Sequence, residues 1–159
     1  MSDAEARLRR LEDIEAIRQL KARYCSFADR GYDGAGDDDE SFADLFTEDG
    51  VFEASAGPLR GREAILQRCK SFHPFGMHLV VNPVIEVEGD TATASWSALV
   101  PSTTAAEQAL VVAGRYEEKL VRTDAGWRYA HVRFRPAFRT PYEDGWARTR
   151  FVQNEVRPA

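Results

Sequence analysis

The hydrophobic period of this chain changes once, near Met77, and that change limits the folds open to it. Before it, apolar residues recur at three- and four-residue spacing. After it they alternate, as far as about residue 138. Helices gathered in one half and strands in the other predict an α+β fold with helices on one face of a sheet. At 159 residues the chain suits one domain with its own core. The first helix is expected from Leu8 to about Arg30, with Ile14, Ile17, Leu20, Tyr24 and Phe27 on one face. Gly31, Gly34 and Gly36 stop it, and Asp37-Asp38-Asp39-Glu40 leads into a short helix carrying Phe42, Leu45 and Phe46. The acidic run lacks the alternating oxygen ligands of a calcium loop and reads as a solvated helix entrance.

Glu48-Asp49-Gly50 turns the chain into Val51–Ala54, and Gly57-Pro58 returns it as a small hairpin. A helix from Arg62 to about Phe72 follows, with Ile65, Leu66 and Cys69 on one side, ended by His73-Pro74 and Gly76. Four strands are then expected at 78–88, 91–100, 108–122 and 127–138, joined by tight connections into an antiparallel meander. Pro83 marks a bulge in the first of these. A sheet bent there, with helices on its concave side, encloses a cavity in place of a flat core. From Thr140 the chain is polar but carries Tyr142, Trp146 and Phe151, so residues 1–139 are read as the domain and 140–159 as an extension, either a lid or a subunit contact.

The net charge of −5 and pI near 5.3, with arginines scattered, exclude nucleic acid as a partner. No apolar run approaches the roughly 20 residues of a membrane span, and the N-terminus does not read as a secretory leader, so a cytoplasmic location is expected. Cys25 and Cys69 lack CxxC spacing and are read as two thiols, with no disulfide and no metal site.

Chemistry is expected from two positions. Asp29 ends the first helix at the edge of its apolar face, and His78 opens the first long strand after a loop, where both side chains can turn into the cavity. A histidine with one ring nitrogen held by a carboxylate keeps the other free to take a proton, and the pair needs no cofactor. His131, Arg133 and Arg135 alternate with Trp127 and Tyr129, which places all five on one side of the last strand. Arg135 is then an anchor for a substrate carboxylate or phenolate, or else part of a solvated outer face. His131 reads as structural and His73 as a surface loop residue. Trp96 reads as cavity or core. Phe27, Phe46, Phe52, Trp96 and Tyr116 suit a hydrophobic, ring-bearing small molecule.

The order long helix, short helix, hairpin, helix and strand meander resembles the nuclear transport factor 2-like fold over nearly the whole chain. The stretch from Leu11 to Tyr24 is similar to its SnoaL-like branch, which holds polyketide cyclases, scytalone and bile-acid dehydratases, and a dehydrochlorinase. The resemblance implies a cone-shaped α+β barrel with helices on a strongly curved, mainly antiparallel sheet. It also implies catalytic Asp29 and His78, and a hydrogen-bond donor at Tyr24; Phe52 stands where some relatives have a tyrosine, so their substrate does not carry over directly. The expected function is a cofactor-independent lyase or dehydratase acting on an aromatic, polyketide or steroid-like ring, with Phe52, Trp96, Tyr116 and Arg135 binding it. An isomerase or cyclase using the same pair, and a binding module without chemistry, are the alternatives. A homodimer or homotrimer is implied by the same resemblance.

Overall fold

A computed structural model describes residues 2–36, 38–54, 57–70 and 74–152. His73, Phe72 at the expected end of the third helix, and residues 153–159 of the extension lie outside the described residues. Helix α1 (Asp3–Ala28) begins at a capping box, in which the Ser2 hydroxyl accepts from the Glu5 N–H and the Glu5 carboxylate accepts from the Ser2 N–H. Its buried stripe is Asp13, Ile17, Leu20, Lys21, Tyr24 and Ala28, in which two charged side chains take helical positions that face the sheet. Asp13 accepts from Arg122 at 2.7 Å and from the Trp127 indole at 3.2 Å, which ties the first half of α1 down.

Helix α2 (Asp39–Ala43) is shorter than expected. Leu45 and Phe46 lie beyond it, and Phe46 opens strand β1 (Phe46–Ala54). Packing of the Phe46 ring against Phe42 and Tyr129, with centroids 5.7 and 5.4 Å apart, favours extended backbone there. Glu48-Asp49-Gly50 therefore lies within β1, in an irregular stretch between the pairings Phe46 with Tyr129 and Val51 with His131. Strand β2 (Gly57–Arg60) completes the hairpin, and α3 (Arg62–Cys69) follows, burying Ile65 and Cys69.

The sheet is completed by β3 (Phe75–Gly76), β4 (Leu79–Glu88), β5 (Thr91–Thr103), β6 (Ala109–Thr123) and β7 (Gly126–Pro141), and a short α4 (Gly145–Arg148) follows. Strands β4 to β7 form the antiparallel meander, β1 joins β7 in parallel, and β3 and β4 share one edge of β5. The helices pack on one face of this strongly curved mixed sheet. Ala92, Ala94, Trp96 and Ala98 of β5 turn to that face; the small alanines leave room for α1, while Thr93, Ser95 and Ser97 turn outward. Burying a side chain the size of Ile17, Leu20 or Phe46 stabilises by about 1.5–3 kcal/mol.

Bulges decide the faces. One falls at Asn82-Pro83 in β4, where Asn82 has φ +54. In β7 a first bulge at Ala130 lets Tyr129 pair with Leu120 while His131 pairs with Lys119. The five side chains read as sharing a side are thus divided. Trp127 and Tyr129 are buried on the inner face, whereas His131, Arg133 and Arg135 turn outward. A second bulge at Ala137 reverses the phase again, so Arg139 pairs with Val112 and faces inward. Gly114 permits this crossing, because a Cβ there would lie 2.3 Å from the Arg135 carbonyl oxygen.

Of the extension, Trp146 stacks on Phe138 of the outer face at 5.1 Å, and Phe151 forms a bridge with Arg139. No helix among the described residues is long and apolar enough to cross a membrane.

Candidate active site

The chain just past the end of α1 is bound through its backbone to β3, shortly before β4 begins. Arg30 N–H donates to the Gly76 carbonyl at 3.0 Å, and Gly76 N–H donates back at 3.2 Å. Gly31 makes this approach feasible: its φ is +81, and a Cβ there would lie 2.3 Å from the Pro74 oxygen. Asp29, one residue before this bridge, and His78, two residues after it, are brought together. Asp29 Oδ1 lies 2.8 Å from His78 Nδ1 and also accepts the His78 backbone N–H at 2.8 Å. Asp29 Oδ2 accepts the Tyr32 hydroxyl at 2.5 Å. Asp29 is only 6% exposed. Burial pushes its carboxyl up, but the bonds from the His78 ring, Tyr32 and the His78 backbone outweigh that and hold it below the usual 3.8. With Nδ1 engaged, no described residue bonds His78 Nε2.

His78 lines a cavity of about 160 Å³ whose walls include Tyr24, Phe52, Tyr116 and Phe134, with Arg30 and Arg68 also at the wall. Burial raises the phenol of Tyr24 well above its ordinary range, and its hydrogen bond with Tyr116 raises it further. Tyr116 is raised chiefly by burial, while that same bond lowers it. Burial thus keeps both phenols, whose ring centroids lie 5.6 Å apart, protonated at neutral pH. Behind the two rings Lys21 Nζ sits 3.4 Å from the Tyr116 centroid and 4.0 Å from that of Tyr24. The same ammonium is 2.6 Å from Glu118 Oε1, and Glu118 Oε2 accepts the Trp96 indole N–H at 2.8 Å.

The expected binding residues therefore separate. Phe52 and Tyr116 line the cavity. Trp96 is buried behind it on Glu118, Phe46 lies in the core, and Phe27 packs at the core's edge. Arg135 is on the opposite face, paired with Glu117 at 3.0 Å, because the Ala130 bulge turned it away. His131 shares Glu53 with Arg133 on that outer face, beside a groove of about 620 Å³ with charged walls. Sequence reasoning missed Lys21 and Glu118. Their signal was phase: each is a charge at a position whose neighbours four or two residues away are buried. Burial raises the thiol of Cys25 to about 11 and that of Cys69 to about 12, so neither is a thiolate nucleophile at neutral pH. No three His, Cys, Asp or Glu side chains converge as a metal site among the described residues.

Residues 9–133 match a family described as the SnoaL-like domain. A search of curated proteins found no match. Among solved structures, a protein of unknown function from Mycobacterium tuberculosis is 32% identical, with 80% of this chain and 78% of that one covered and a TM-score of 0.68. A hexachlorocyclohexane dehydrochlorinase is 19% identical, covering 84% and 91%, at a TM-score of 0.75. A protein from Novosphingobium aromaticivorans assigned as a scytalone dehydratase is 22% identical, covering 84% and 89%, at 0.73. The last two likenesses establish the fold.

Proposed function

This chain belongs to the SnoaL-like domain family of nuclear transport factor 2-like proteins, and from that premise we infer that it is a cofactor-independent lyase whose general base is His78. The observation that carries this reading is the Asp29–His78 contact at 2.8 Å on the wall of an aromatic cavity. Asp29 orients the ring and stabilises the imidazolium, while Nε2 removes a proton from carbon beside a carbonyl or ring. The C–H electron pair becomes the new double bond. The leaving group departs with its own bonding pair and, when it leaves as water, takes the proton back from the imidazolium. Tyr116, on the cavity wall beside Tyr24 and kept protonated by burial, is placed to hydrogen-bond an enolate oxygen. A cavity near 160 Å³ suits one six-membered ring, since about 150 Å³ holds a benzene. A single aromatic or alicyclic ring thus fits better than a steroid or a long polyketide.

The reading is tested in deuterated water with single-ring ketones, with and without a β leaving group. The protein is expected to eliminate from the former and to exchange the α-proton of the latter. His78→Ala and Asp29→Asn are expected to lose both activities while retaining native circular dichroism. Full activity in both variants would sink the mechanism, and ligands bound but never exchanged would favour the binding module.

A further inference from the structure

The end of the cavity away from the aromatic rings is polar and incompletely bonded. Ser102 lines it and is 4% exposed, yet its hydroxyl has no hydrogen-bond partner among the described residues. An orphaned buried hydroxyl costs free energy unless something outside the protein satisfies it. Arg139 stands nearby on the same inner face, paired in register with the cavity-lining Val112, which in turn pairs with Val100. Its Nε is buried without a partner, and no carboxylate pairs with it among the described residues. Burial lowers its pKa, and the positive charge of Arg68, itself on the cavity wall, lowers it further. A buried guanidinium nitrogen without a partner, on the same inner face as an unsatisfied hydroxyl, points to a site for an anion.

We propose that Arg139, Arg68 and Ser102 bind a carboxylate carried on the substrate ring, so that the ligand is a small cyclic carboxylic acid. This rests on the proposed function for the ring and extends it by naming the ring's charged substituent. A guanidinium offers a planar fork of donors that matches a carboxylate, and Ser102 supplies a further donor. The sequence pattern pointed to Arg135 for this task. The Ala137 bulge assigns it instead to the residue four positions on.

The probes are benzoate and its neutral isostere benzamide, titrated by calorimetry into the whole chain. Benzoate is expected to bind at least about tenfold more tightly, the ratio that one charge-assisted contact supplies. Arg139→Met is expected to bring benzoate down to the benzamide level without changing benzamide, and Arg135→Met on the outer face to change neither. Equal affinity of the two probes for the natural protein would overturn the proposal without recourse to any variant. So would a preference that survives in folded Arg139→Met and Arg68→Met. Because binding is read without turnover, failure here is distinguishable from failure of His78 as the base: either can occur while the other assay succeeds.

Discussion

Asp29 with His78 and Glu53 with His131 are both carboxylate–imidazole contacts, at 2.8 and 3.2 Å, on opposite faces of one sheet. The chemistry of the partners is the same, and their surroundings differ. Asp29 is buried, accepts from the His78 ring, the His78 backbone and Tyr32, and holds the ring against an aromatic cavity. Glu53 is shared between His131 and Arg133, all part-exposed, where solvent screens each contact. A pair becomes a candidate catalytic device when its geometry is over-determined and its free nitrogen faces an aromatic-lined cavity. Contact alone does not make it one.

The largest expected effect separates the two histidines by rate. His78→Ala should lower kcat/KM by about 10²–10⁴-fold, the usual worth of a general base, whereas His131→Ala should stay within about twofold, as a surface change does. Equal losses would abolish the distinction between the faces. Next comes stability, measured by urea unfolding. Lys21→Met strands the buried Glu118 and should cost about 3–5 kcal/mol, with part restored in Lys21→Met/Glu118→Gln. Breaking the outer Arg135–Glu117 pair should cost about 0–1 kcal/mol; comparable costs would mean that the inner network is as well solvated as the outer one.

The smallest effect is a pH dependence. Asp29 has a folded pKa held below 3.8, so the stability it contributes is fully present above the unfolded value and is lost as pH falls through the lower folded one. The stability difference between the natural protein and Asp29→Asn should therefore be flat above about pH 5 and shrink below about 3.8. Glu53→Gln serves as the outer-face comparison. An Asp29 difference that stays constant to the acid limit would show that its bonds to His78 and Tyr32 are not charge-assisted.

Most elements were legible because period is a local property. Ile17, Leu20 and Tyr24 mark the buried side of α1, and Ala92, Ala94 and Trp96 that of β5, without reference to any neighbour. Asp29 and His78 were also legible as candidates, each from its place at an element end. Tyr32 was not, because its hydroxyl reaches Asp29 only when Gly31 folds the chain back. Phe46 was misplaced on a helix because its spacing from Phe42 is helical, while its ring is held by Tyr129, 83 residues later.

Sequence by itself determined that this chain has helices followed by long antiparallel strands, an acidic composition, and an acid and a histidine at element ends that could meet. Only the tertiary structure decided which side chains of β7 meet the cavity. Alternation predicts a face only while the count is unbroken, and the bulges at Ala130 and Ala137 each insert one residue. They put Arg135 in solvent and Arg139 inside. Those bulges arise from pairing with β6, including the Gly114 crossing, and an interaction between strands leaves no mark in the period of one strand.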